Sequence, residues 1–261
     1  LRTGGSDGQP IVDHFSVTCD ANEQTTRRVR TNIAARGARP LGAYAPRGTV
    51  DHLAAGLAAR HDVAVTGIRR ALPHDLPGLY RVGLLTGDAG RDASALYANP
   101  DLIGHVYVGP YAVGEPDHAL VVADPVGVAG YCLAARNTRA FAAWCEASWW
   151  PALREQYPRR ADRSPDADLI ELLHAPPEPP ADIVDAFPAH LHIDLLERAR
   201  GTGTGRRLIE RQLADLAAAG VPGCHLGAAS SNTNAIAFYG HLGWRILRRD
   251  ADDCWMGIDL R

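Results

Sequence analysis

Arg200-Gly201-Thr202-Gly203-Thr204-Gly205-Arg206-Arg207 is the stretch that decides how this chain reads, because of what flanks it. Ahead of it, His190 to Leu196 reads as a strand. Behind it, Gly205 to Ala219 reads as a helix with Leu208, Ile209, Leu213 and Leu216 on one face, stopped by Gly220 and Pro222. A strand that passes through glycines into a helix collects unpaired backbone N–H groups and the positive end of the helix dipole at one spot, where a pyrophosphate can sit. A P-loop is excluded, because all 27 basic residues are arginine and that loop needs its lysine. A dinucleotide fingerprint needs G-x-G-x-x-G opening a βαβ unit, with an acidic residue about twenty positions on. Here the spacing is G-x-G-x-G, late in the chain. Taken alone, the turn is open to two readings, ligand site and tight connection.

Working outward, His190 to Leu260 alternates strand, helix, strand, helix, strand, strand, which argues for an α/β or α+β sheet domain. Upstream, Val63 to Ile68 reads as a strand and Leu72 to Pro77 as the entry to a helix. Thr86 to Asp92 reads as a loop and Ala93 to Tyr97 as helical. Ala119 to Ala123 and Val126 to Ala134 read as two strands joined by an Asp124-Pro125 turn. Thr138 to Tyr157 carries Phe141, Trp144, Cys145, Ser148 and Trp149 on one helical face, which core packing explains, with Pro151 expected to kink or restart the helix. Arg159 to Pro165 and Ala175 to Pro180 read as surface connections. Residues 1–62 lack a core of their own and are expected to be a poorly ordered or mis-assigned leader, leaving 63–261 as the folded domain.

Composition narrows the classes. Of 261 residues, 46% are hydrophobic and 22% charged, a globular profile, and the net charge of −3 gives no global pull toward nucleic acid or an anionic membrane. Without lysine, chemistry that needs a lysine Schiff base is excluded. The five cysteines, Cys19, Cys132, Cys145, Cys224 and Cys254, are scattered without a C-x-x-C pair, so neither a disulfide framework nor a metal site is expected. The last four sit in apolar contexts and are expected to be inert core thiols. No 18-residue apolar run exists, the first thirty residues lack the apolar core of a signal peptide, and a cytoplasmic protein is expected, as monomer or homodimer.

Arg200, Gly203 and Gly205, in the pattern Arg-x-x-Gly-x-Gly, resemble the acetyl-CoA pyrophosphate motif of the GCN5-related N-acetyltransferases. A second element follows: Asn232-Thr233-Asn234-Ala235-Ile236-Ala237-Phe238-Tyr239-Gly240-His241-Leu242-Gly243-Trp244 is similar to that family's later helix, with Trp for the usual final Phe. Pro188 to Leu196, Thr86 to Asp92, Tyr97, Pro100 to Gly104 and Pro110-Tyr111 look like the subgroup that includes the acetyltransferase-like C-terminal domain of O-GlcNAcase and its stand-alone bacterial relatives. The resemblance covers roughly residues 66–261, and residues 138–157 match the subgroup's helical insertion before the cofactor-binding strand. It implies a mixed, mostly antiparallel sheet flanked by helices and direct transfer of an acetyl group from acetyl-CoA to an amine on a small molecule, peptide or protein. The alternative it carries is a catalytically silent module for CoA binding or protein recognition. A third reading, a nucleic-acid adaptor, would rest on the arginines of the leader.

By the same resemblance, Gly201, Thr202, Gly203, Thr204, Gly205 and Arg206 would hold the pyrophosphate, with Arg200 and Arg206 adding charge. The pantetheine arm would pair with the strand's end beside a splayed neighbour near Leu226, and backbone N–H groups around Leu195 and Leu196 would face the developing oxyanion. Asn232 would cap its helix or reach the cofactor arm. Tyr239 stands where the family places the acid that protonates the departing thiolate, although it also belongs to the core stripe Ala235, Phe238, Tyr239, Leu242. Strand alternation puts His190, His192 and Asp194 on one face, candidates for the base, with Asp194 a possible orienter of His192. Asp88 and Asp92 are candidates to attract a cationic amine.

Overall fold

The computed structural model describes residues 66–260; the leader segment and Cys19 lie outside the described residues. Seven strands form one sheet: β1 (Thr66–Arg70), β2 (Ala119–Asp124), β3 (Gly127–Ala135), β4 (Ala189–Leu195), β5 (Gly223–Ala229), β6 (Arg245–Arg249) and β7 (Asp253–Asp259). They lie in the order β1-β2-β3-β4-β5-β7-β6. Every neighbouring pair is antiparallel except β4 and β5. The helix between these two carries the chain back to the starting end, as a parallel pair requires. This is the mixed, mostly antiparallel sheet expected from the sequence.

Helices cover both faces. A single 3-10 turn, Pro73–Asp75, leads into α1 (Leu76–Thr86), followed by α2 (Leu102–Tyr107) and α3 (Gly109–Gly114). Then come α4 (Thr138–Trp144), α5 (Trp150–Gln156), α6 (Pro165–His174), α7 (Ala181–Ala186), α8 (Thr204–Ala218) and α9 (Thr233–His241). Alternation along β4 sorts the core into two halves. Leu191, Ile193 and Leu195 pack with Leu208, Ile209 and Leu216 of α8 and Ala235 of α9. On the other face Val121, Tyr131 and Leu133 pack with Leu79, Ile103, Phe141 and Trp150.

One local expectation is corrected, and two segments gain detail. Ala93 to Tyr97 is a turn instead of a helix. Asp92 accepts the Ser94 N–H at 2.8 Å, an Asx-type bond that competes with helix formation, and the segment is too short to nucleate alone. The amphipathic stretch 138–157 is two helices joined by a π-turn, Cys145–Trp149, in which Trp150 N–H donates to the Cys145 carbonyl. The wide turn falls immediately before Pro151, whose ring cannot follow a regular turn. Between the two connecting segments lies α6, capped by Ser164, whose hydroxyl accepts the Ala167 N–H, with Pro165 at its first position. Among the described residues, no helix is long and apolar enough to cross a membrane.

Candidate active site

The glycine turn lies where β4 gives way to α8. Gly201 and Gly203 hold φ of 70° and 74°, the left-handed region that L side chains enter at a cost of about 1–2 kcal/mol. Gly203 is the N-cap of α8, with no side chain capping the helix, so its first-turn N–H groups are not satisfied from within the motif. Gly201, Thr202, Gly203 and Arg206 are exposed and Thr204 and Gly205 are buried. A Cβ built on Gly203 would meet nothing within 4 Å. Thr202 and Thr204 share a hydroxyl–hydroxyl bond of 2.7 Å, which fixes the turn from the side. Arg206 pairs with Glu210 one turn on.

Arg200 turns away from that opening. Its Nε donates to the Leu195 carbonyl at 2.8 Å and an Nη donates to the Gly90 carbonyl at 2.9 Å, lacing the end of β4 to the 86–92 loop. In the loop, Asp88 pairs with Arg91 at 3.1 Å and Asp92 binds Ser94 through backbone and hydroxyl, so both aspartates are engaged locally.

The sheet opens beside the turn. β4 and β5 pair only at Ala189↔Cys224 and His190↔His225, after which the ladder stops. The β3–β4 register runs without a bulge, and the continuing Leu196 N–H donates to the Ala129 carbonyl. Alternation then directs the backbone groups of His190, His192 and Asp194 to β3 and those of Ile193 and Leu195 toward the gap before β5. Of the two amides expected to face an oxyanion, only that of Leu195 is turned that way; Leu196 has already committed its own.

His190 and His192 meet α3 on the opposite side. The Tyr111 hydroxyl lies 2.7 Å from His190 Nε2 and 2.8 Å from His192 Nε2. Thr138 Oγ1 donates to the Pro188 carbonyl at 2.8 Å and lies 2.7 Å from His190 Nδ1. Burial holds both imidazoles neutral, with the adjacent His225 adding to the effect: His190 falls well below the usual histidine range and His192 falls to about 4. His225 is also depressed by burial, and its Nδ1 lies 2.6 Å from the Phe187 carbonyl. Residues two apart on a strand stand about 6.6 Å apart, too far for a direct bond, so the histidine pair needs Tyr111 as a bridge.

The same spacing corrects the role expected of Asp194. It does not orient His192; its Oδ2 accepts from Tyr131, directly across the ladder, at 2.7 Å. Asp194 is 2% exposed, its Oδ1 has no hydrogen bond, and it is not part of the cavity wall. Burial raises its carboxyl to about 7 against the pull of Tyr131, Thr86 and Arg200. Asn232 is the N-cap of α9, its Oδ1 accepting the Ala235 N–H at 3.1 Å. Tyr239 is 1% exposed and packs between Phe238 and Trp244 at ring separations of 5.6 and 5.5 Å.

A cavity of about 300 Å³ lies over the histidine pair, walled by aromatic residues including Tyr111, Phe141, Trp150 and Trp255. Its rim includes Pro176, Pro177, Glu178 and Pro179, from a segment read in the sequence as mere surface connection. Among the described residues, no cluster of His, Cys, Asp and Glu is arranged to hold a metal ion. Cys132, Cys145, Cys224 and Cys254 are buried and unpaired by disulfides, and burial pushes Cys145 up to about 12. Sequence reasoning missed Tyr111 and Thr138 as partners of the histidines, since no local pattern ties them to β4.

No family model matches the chain. The chain superposes on the crystal structure of SsHAT with a TM-score of 0.70 and 35% identity, over 75% of this chain and 98% of that one. It belongs to the GCN5-related N-acetyltransferase family. A GCN5-related N-acetyltransferase from Kribbella flavida lies further off, at 17% identity and a TM-score of 0.43, over 74% of this chain and 96% of that one. In sequence, this family member is 26% identical over 180 residues to protein O-GlcNAcase of Rattus norvegicus and of Mus musculus. That match spans 67% of this chain and 20% of those proteins.

Proposed function

We propose that the protein is an acetyl-CoA-dependent N-acetyltransferase that moves the acetyl group directly to a primary amine, without a covalent enzyme intermediate. The observation that carries the proposal is the continuity of three features along β4: an open, uncapped glycine turn, a gap where β5 peels away, and a cavity holding a neutral histidine pair. These features fit acetyl-CoA. The turn offers free first-turn N–H groups at a helix N-terminus for a pyrophosphate. The gap offers the backbone groups of Ile193 and Leu195 to an arm that pairs like a strand.

In this reading Gly201 to Arg206 hold the pyrophosphate, and the Leu195 N–H donates where negative charge develops on the thioester oxygen. A neutral imidazole takes the proton from the attacking amine, and burial suits that task because it keeps the base unprotonated. Tyr239 donates its phenolic proton to the departing thiolate, the role implied by its place in the family motif. Aromatic walls around about 300 Å³ favour a small or slender acceptor over a folded surface.

The test is thermal unfolding with and without acetyl-CoA, followed by an amine panel. At about 100 times Kd, binding stabilises the folded state by ~2.7 kcal/mol. A shift together with acetyl transfer that slows by ~10²-fold in Tyr239→Phe supports the proposal. A shift without transfer to any amine leaves a CoA-binding module, the reading that the deep burial of Tyr239 favours. No shift at millimolar acetyl-CoA in folded protein refutes the cofactor site.

A further inference from the structure

The bonds around the histidine pair run in a fixed direction. A carbonyl only accepts, so the single Thr138 hydroxyl proton is committed to Pro188 O, and toward His190 that oxygen must accept. His190 Nδ1 is therefore its N–H. A neutral imidazole has one N–H, which leaves His190 Nε2 as an acceptor and makes Tyr111 O–H the donor to it. With that proton committed, the Tyr111 oxygen accepts from His192, whose N–H is therefore on Nε2. His192 Nδ1 is left as a bare lone pair; it makes no hydrogen bond among the described residues and is not sealed from solvent, and the residue lines the cavity.

Resting on the acetyltransferase reading, we infer that Thr138, His190 and Tyr111 are positioning residues that hold His192 as its Nε2–H tautomer, so that His192 Nδ1 is the atom that takes the acceptor amine's proton. The chain plays the part that a carboxylate plays behind a catalytic histidine elsewhere, but with neutral groups throughout. The step balances simply. The amine nitrogen bonds to the thioester carbon, the amine proton moves to Nδ1, and the carbon–sulfur bond breaks with its electron pair on sulfur, so that CoA leaves as a thiolate that takes the Tyr239 proton. His192 is then an imidazolium whose Nε2–H still donates to Tyr111, and the proton leaves through the cavity when product departs. The groups facing His192 are His190 and His225 from the neighbouring strand positions, Tyr111 from α3, and Glu146 and Glu178 around the cavity. Among the described residues no carboxylate bonds either ring.

Two experiments separate this inference from the activity itself. Long-range proton–nitrogen NMR on the full protein labelled with 15N-histidine reads each tautomer without any substrate. The expected result is Nδ1–H for His190 and Nε2–H for His192; the reverse assignment for His192 overturns the inference even if acetyl transfer is found. In protein that transfers acetyl groups, Tyr111→Phe and Thr138→Val should lower kcat by ~10- to 100-fold with little change in the KM for acetyl-CoA, while Thr138→Ser restores both rate and tautomer. If Thr138→Val keeps the His192 tautomer and the wild-type rate, the chain does not direct the base. If no amine is acetylated but the tautomers are as expected, the acetyltransferase reading fails and the geometry stands.

Discussion

Replacing Gly203 separates what the glycine turn does for the fold from what it does for a ligand. At φ of 74° the backbone sits in the left-handed region, and a Cβ there meets nothing within 4 Å. Gly203→Ala therefore introduces conformational strain without a clash. Strain of about 1–2 kcal/mol is partly offset by ~0.5–1 kcal/mol from the lower unfolded-state entropy of alanine, so the ligand-free protein should lose about 1 kcal/mol. In a domain of this size that is roughly 2–4 °C in Tm. The open space that spares the ligand-free protein is the space assigned to the pyrophosphate. A methyl group that displaces one charge-assisted contact costs ~1.5–3 kcal/mol of affinity, roughly 10- to 100-fold in Kd. Calorimetric titration of acetyl-CoA, with thermal melts of both proteins, reads the two effects. Gly203→Asn is the control, because asparagine tolerates left-handed backbone: it should recover most of the lost stability and none of the lost affinity. Wild-type affinity in Gly203→Ala, alongside the expected loss of Tm, would refute the placement of the pyrophosphate.

Three further outcomes are expected. Asp194, raised to about 7 from 3.8, binds a proton in the folded state that the unfolded chain has released, so its contribution to stability is full below pH ~4 and is lost as pH rises to ~7. Relative to Asp194→Asn, the wild type should lose up to about 4 kcal/mol across that window, seen as a Tm gap in favour of the variant that widens toward pH 8; a constant gap would show that Asp194 does not titrate there. Arg200→Gln removes the bonds to the Leu195 and Gly90 carbonyls and should cost ~1–3 kcal/mol, with faster hydrogen exchange at the Gly90 amide, which bonds to Thr86; unchanged exchange would mean the loop holds itself. Tyr239→Phe should lower kcat by ~10² while leaving the acetyl-CoA-induced thermal shift intact, and a variant with full kcat would remove tyrosine from the acid role.

What could be read from the chain was local. The glycines at 201, 203 and 205, the spacing of Leu208, Ile209 and Leu216, the Asp124-Pro125 turn and the Asn232 cap are decided within a few residues by backbone sterics and periodicity, and the structure has them in place. The succession of elements from β4 to β7 was legible in the alternation of strand and helix, but the placing of β7 between β5 and β6 was not. The α6 start was also available, in Ser164-Pro165. The 93–97 turn was misread because five residues of favourable composition do not make a helix unless something packs on it.

What only the tertiary structure decided was which distant groups meet. Alternation shows that His190, His192 and Asp194 share a face, but not that a hydroxyl 79 and 81 residues earlier bridges the two histidines while Asp194 is taken by Tyr131. Nor does the chain alone show where β5 leaves β4, or that the segment around Glu178 closes over a cavity. Hydrogen-bond direction, burial and the proton-accepting atom of a histidine depend on neighbours brought together by packing of the whole sheet, and no window of sequence contains them.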